Sequence, residues 1–151
     1  MVSWSEFLQA APELAGKADE RFRSEGLLLL GSLRSNGWPR ISPVECWFTG
    51  EHLALGMMWQ SRKALDLLRD PRCALHTTQC TKEPTAPDIK IYGRATAVTD
   101  GGEWQSFFDQ VAAETGNVFT EAHLFFIDVT EAAAWWVADD AGHFETWKAD
   151  A

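Results

Sequence analysis

The segment from Leu27 to Met57 leaves this chain few folding options. Leu27 to Arg34 reads as a first strand, Pro39 to Phe48 as the return strand, and His52 to Met57 as a third. Each gap between them is a turn. Asn36-Gly37 is a strong hairpin signal, because a type I′ turn needs positive φ at both central residues, and Thr49-Gly50-Glu51 makes the next turn. Sequential strands this close pair with each other, so a meander of three antiparallel strands is expected.

The flanking chain adds strands and a few helices. Ser3 and Glu6 stand in capping-box spacing, and Trp4, Phe7, Leu8, Leu14 and Phe22 recur at helical intervals broken near Pro12. Two short helical pieces are expected there, with Gly26 as their end. Further strands are expected over Arg72 to Thr78, Asp88 to Val98 with Gly93 at a bulge, His123 to Thr130, Ala133 to Val137 and His143 to Trp147. A helix through Trp104, Phe107, Phe108 and Val111 ends near Gly116, and Gln79 to Pro87 reads as loop. Hairpins dominate and βαβ alternation is missing, which points to a mostly β fold, a closed antiparallel barrel with flanking helices. With 151 residues and no linker or repeat, residues 1–151 form a single domain, an N-terminal helical segment over 1–25 and the barrel over 26–151.

The chain carries a net charge of −9, which argues against nucleic acid as a partner. Its charge is uneven. Between Arg34 and Arg72 six bases face four acids, a net of +2, which leaves −11 elsewhere. Such a middle suits a small anionic ligand. The longest purely aliphatic run, Leu27 to Leu30, is strand-sized, so no membrane span is expected. Glu6, Glu13 and Lys17 occupy the place of a signal-peptide core, and Cys46, Cys73 and Cys80 form no CxxC pair. A cytoplasmic protein is therefore expected. His52, His76, His123 and His143 are dispersed, and no structural metal site is expected.

The stretch Ser61 to Arg72 is unusual. It reads as a short helix with Ser61 as N-cap, Leu65, Leu67 and Leu68 on its buried side, and Pro71 as its stop. Arg62 and Lys63 fall in its first turn, where the helix dipole opposes cations unless an anion sits there. A phosphate would use the free backbone N–H groups, the dipole and both cations together. A solvated helix start is the other reading. There is no GxGxxG, GxxxxGK[ST] or GxSxG motif, and Asp139-Asp140 reads as a solvated turn.

Leu28 to Arg34, Asn36 to Arg40, Leu53 to Gly56 and Ser61 to Arg72, in this order and spacing, resemble the pyridoxamine 5′-phosphate oxidase-like FMN-binding split-barrel family. Ser-Arg-Lys-Ala followed by Asp-Pro-Arg carries most of that resemblance. It implies a split β-barrel and a homodimer with the cofactor at the subunit interface. The cofactor is FMN or, as in related reductases, a deazaflavin. Its phosphate falls to Ser61, Arg62 and Lys63. Arg40, Ile41, Ser42, Pro43 and Val44 lie along the flavin, and Gly56 and Met57 touch it. The resemblance also has departures. Asp88 stands where the oxidase has a flavin-contacting glutamine, and Gly142 to Lys148 lacks the Arg-x-His pattern that holds pyridoxal phosphate. The expectation is therefore an oxidoreductase passing hydride between the cofactor and a small-molecule substrate, and not pyridoxamine phosphate oxidation itself. The catalytic residues are unassigned. The alternatives are a non-catalytic flavin carrier and a haem-binding split barrel. His76 or His123 would be the axial ligand of the haem, though a satisfied core histidine is the plainer reading of each.

Overall fold

The computed structural model describes all residues, Met1–Ala151. Its elements run α1 (Trp4–Ala10), α2 (Pro12–Glu25), β1 (Leu27–Leu33), β2 (Pro39–Glu45), β3 (Trp47–Thr49), β4 (His52–Met58), α3 (Arg62–Arg69), β5 (Arg72–Thr77), β6 (Asp88–Ala97), α4 (Gly101–Thr115), β7 (Ala122–Ala138) and β8 (Ala141–Lys148). The strands form one curled antiparallel sheet in the order β2-β1-β5-β6-β7-β4-β3, with β8 on β7. This is the mostly β split-barrel architecture that the resemblance predicts, a curled sheet left open between β2 and β4 where the hairpin pattern suggested a closed barrel. No helix is long and apolar enough to cross a membrane.

The split arises in the second strand of the expected meander. Cys46 interrupts it, its buried N–H donating to Gly26 O at 3.1 Å, so β2 pairs with β1 while β3 pairs with β4. β2 and β4 come close with no ladder between them. Burial pushes the Cys46 thiol up to about 12, so Cys46 stays neutral in the seam.

The longest strand, β7, organises the rest. The two pieces expected over His123–Thr130 and Ala133–Val137 are one continuous 17-residue strand. It pairs with β6 along one edge. On the other it pairs with β4 through its first half and β8 through its second, with Val2 bridging Val129 between them. Such length needs a bend, and the register shifts between Tyr92 and Gly93. A Cβ on Gly93 would lie 2.3 Å from Asp128 O, so only glycine lets the strands close there. The hairpin turn after β1 differs from expectation. At Asn36-Gly37 only Gly37 has positive φ, and Arg34 N donates to Trp38 O across a longer loop. The two-residue turn with both φ positive is Asp139-Asp140, between β7 and β8.

Inside the barrel, Leu28 and Leu30 of β1, Leu75 of β5, Ile89 and Ile91 of β6, Phe125 and Ile127 of β7 and Leu53 and Leu55 of β4 form one core. The capping box at Ser3 forms as expected and starts α1. α1 and α2 add Trp4, Phe7, Leu14 and Phe22 to the core, each full burial contributing about 2 kcal/mol. The opposite face of β4 is also covered. There Ala54 packs with Phe107, Phe108 and Val111 of α4. By contrast, no helix covers the outer face of β2-β1-β5-β6, where Ile41 and Tyr92 are exposed.

Gly93→Ala should lower stability by about 2–3 kcal/mol in urea unfolding, because backbone must move to admit the methyl group. Gly16→Ala, in α2 with nothing within 4 Å of the added Cβ, should leave stability unchanged or raise it by up to about 1 kcal/mol.

Candidate functional site at the start of α3

The Ser61 hydroxyl does not cap the helix as expected. Its Oγ is buried with no hydrogen-bond partner, beside the helix start. A buried hydroxyl in that state costs roughly 1–3 kcal/mol unless something bonds to it. Ser61 therefore combines with the first N–H groups of α3 as an unfilled set of donors. Arg62 is exposed and enters no ion pair of the chain. Lys63 folds back over β2, its Nζ donating to Pro43 O at 3.1 Å.

Below this turn a buried carboxylate holds α3 to the sheet. Asp66, 3% exposed, accepts from Arg40 Nε at 2.7 Å, Ser32 Oγ at 2.9 Å and Arg69 Nη2 at 3.2 Å. Arg69 also donates to Leu33 O, tying the other end of the helix to β1. Burial works to raise the Asp66 pKa. The hydrogen bonds from Arg40, Ser32 and Arg69 outweigh it and leave the carboxyl below its ordinary value. The buried side of α3 is thus Ala64, Asp66 and Leu67. Leu65 and Leu68, expected inside, are exposed.

The approach to the helix is fixed from the other side. Gln60 adopts φ +58, and its N–H donates to His123 Nε2 at 3.1 Å. Trp59 stacks on the same imidazole, with centroids 4.4 Å apart and planes 10° from parallel. His123 is partly exposed on β7 and not a core histidine. Desolvation lowers its pKa, which suits a ring whose Nε2 must stay unprotonated to accept. His76 is likewise partly exposed, its Nδ1 2.7 Å from Thr77 O.

The expected ring-contacting residues fall on different surfaces, because strand side chains alternate. On β2, Arg40, Ser42 and Val44 pair with Ser32, Leu30 and Leu28 on the inner side. There Arg40 is spent on Asp66 and Val44 lies in the core. Ile41 and Pro43 point outward, Ile41 75% exposed. On β4, Met57 is in the core while Gly56 lies outside against α4, where a Cβ would be 3.3 Å from Phe107 Cε1. The structure therefore brings together Ser61, Lys63 and the Pro43 backbone, with Arg40 one layer below.

Comparison with known proteins follows the same lines. The sequence profile of a family described as pyridoxamine 5′-phosphate oxidase matches residues 14–136. A comparison with curated protein sequences gives no match. Among solved structures, the fold is similar to a Clostridium acetobutylicum protein related to general stress protein 26 of B. subtilis (pyridoxinephosphate oxidase family). The identity is 12%, the TM-score 0.68, and 95% of each chain is covered. It is similar to a putative pyridoxamine 5′-phosphate oxidase from Listeria innocua, at 13% identity and TM-score 0.64, covering 78% of this chain and 94% of that one. It is also similar to the haem storage protein HutZ of Vibrio cholerae, at 16% identity and TM-score 0.62, covering 77% and 89%.

Two measurements follow from this geometry. Asp66→Asn should destabilise the protein by about 3 kcal/mol, since it strips a buried carboxylate from two guanidinium groups. Urea unfolding checks the value. His123 contributes stability that is full above its ordinary value of 6.5 and is lost as pH falls below it, when the unfolded chain takes the proton first. His123→Phe keeps an aromatic ring against Trp59 and removes the acceptor. The melting-temperature gap between the native protein and this variant should shrink from about pH 7.5 to about pH 5. A gap that stays constant would contradict the assignment.

Proposed function

This chain belongs to the pyridoxamine 5′-phosphate oxidase family, and on that premise we propose that it is a flavin-binding oxidoreductase. The cofactor is FMN or a deazaflavin, its phosphate held at the start of α3 by Ser61, Arg62 and Lys63. The observation that carries this reading is the buried, unpartnered Ser61 hydroxyl at a helix start whose first turn is cationic. A phosphate oxygen would accept from that hydroxyl and from the free N–H groups, and Arg62 would neutralise its charge.

When bound, the flavin would supply the hydride chemistry, and the chain would bind and orient it. Lys63, already on the Pro43 carbonyl, links the phosphate end to β2. Asp66 sets the distance between α3 and β2 through Arg40. The outward side chains Ile41 and Pro43 offer an apolar rail for the ring, and the Gly56-Met57 backbone borders its far end. We also propose a homodimer that closes over this groove. The uncovered outer sheet face supports it, running from Ile41 on β2 through Tyr92 on β6 to Trp135 and Phe144 at the β7–β8 hairpin. Exposed aromatic groups of this kind suit an interface core. The substrate is a small molecule reached through the same groove.

Haem is the second reading, raised by the similarity to HutZ. The geometry weighs against His123 as the axial ligand, because its Nε2 lone pair is already engaged by Gln60, and leaves His76, whose Nδ1 lies 2.7 Å from Thr77 O, as the histidine for that reading. Binding iron at His123 would break the turn that leads into α3.

The absorption spectrum of the purified protein separates these readings, since a flavin band supports the proposal and a Soret band contradicts it. Turnover with a reduced nicotinamide or a reduced deazaflavin then distinguishes an enzyme from a carrier. Arg62→Ala/Lys63→Ala should weaken FMN or deazaflavin binding by roughly 100-fold, two charge-assisted contacts being lost, with little change in apo-protein melting. Unchanged affinity would refute the phosphate position.

A further inference from the structure

Outside the barrel, between β4 and α4, lies a cavity of about 140 Å³. It exists because Gly56 presents no side chain toward α4. Phe107 and Phe108 rest directly on the strand there, at right angles to each other with centroids 4.9 Å apart. Trp47 meets Phe107 edge-on at 6.2 Å, and Phe119 leans on Phe108 at 5.7 Å, so three sides are aromatic. Met58 completes the apolar wall, and the one charged group lining the cavity is Glu45. Glu45 enters no ion pair of the chain and ends β2 two residues after Pro43.

The volume sets the size of the occupant. A space of about 140 Å³ holds a single benzene-sized ring. The walls set the chemistry, since edge-to-face aromatic contacts favour another ring. The carboxylate sets the charge. An anionic substituent at the mouth would meet the Glu45 carboxylate, and like charges repel. We infer that the cavity between β4 and α4 binds an aromatic ring bearing no anionic substituent, and that this ring belongs to the substrate. The second half of the inference rests on the proposed flavin site, because Gly56 and Met57, which that proposal sets at the far end of the ring, also line the cavity.

The test needs no flavin and uses the full chain. Benzyl alcohol and benzoate, rings of equal size that differ in charge, are titrated calorimetrically into the native protein, Glu45→Gln and Phe119→Ala. Both positions are exposed, so neither variant removes core packing. Benzyl alcohol should bind saturably, and benzoate at least about tenfold more weakly. Glu45→Gln should bring the two within about threefold of each other, and Phe119→Ala should weaken benzyl alcohol by about tenfold. No saturable binding, equal affinities in the native protein, a gap that persists in Glu45→Gln, or Phe119→Ala without effect would each overturn the site. Failure of the flavin reading is seen separately, as absent FMN binding in a protein that still binds benzyl alcohol. Substrate use of the cavity is read by competition. Benzyl alcohol should raise the KM of any flavin-dependent turnover in the native protein, about tenfold more of it being needed for the same rise in Phe119→Ala, and an unchanged KM in the native protein would refute that half.

Discussion

A single buried carboxylate fixes where the candidate site stands. Asp66 is the one acidic group of α3 that faces the sheet, and it is held by Arg40 from β2, Ser32 from β1 and Arg69 from its own helix. An uncompensated carboxylate in that place would cost several kcal/mol, so helix, strand and charge must be in register together. The consequence lies one turn away. With Asp66 anchored and Gln60 bonded to His123, the first N–H groups of α3 and the Ser61 hydroxyl are fixed in place whether or not a ligand is present. A donor set held this way loses little entropy on binding an anion.

The barrel makes that arrangement affordable. β7 carries neighbours on both edges along most of its length, and the bulge opposite Gly93 lets β6 follow its curve. Because β7 pairs with β4 through Met58 and Ala122, the turn after β4 is delivered next to His123. α4 covers the outer side of that same strand, which leaves the flank of the site walled by aromatic rings. The uncovered half of the sheet, by contrast, leaves Ile41, Tyr92 and Phe144 exposed.

Much of this was legible in the sequence, and the losses have physical causes. Strand positions, the two N-terminal helices and the cationic start of α3 follow from periodicity, caps and turn residues, all of which are local signals. The breaking of the second strand at Cys46 was not legible, because nothing in the run from Pro39 to Phe48 marks a stop at Cys46 and the break is decided by pairing on both sides. Asp66 was missed for a similar reason. Its partners Ser32 and Arg40 lie 34 and 26 residues away, and the run Leu65, Leu67 and Leu68 around it suggested an apolar buried face. The i,i+3 spacing of Asp66 and Arg69 was the one local hint. Assignment of β2 side chains to the cofactor followed the resemblance along five consecutive residues, whereas alternation lets only every second one reach a given face.

The central claim is that the start of α3 is a phosphate site. It is tested most directly by comparing FMN with riboflavin, which has the same ring and no phosphate, on the unmodified apo-protein. Tighter binding of FMN by roughly 100-fold or more, a gap that narrows as salt is raised, is the result this structure predicts. Equal affinities for the two would contradict it, and would leave the buried Ser61 hydroxyl without a partner.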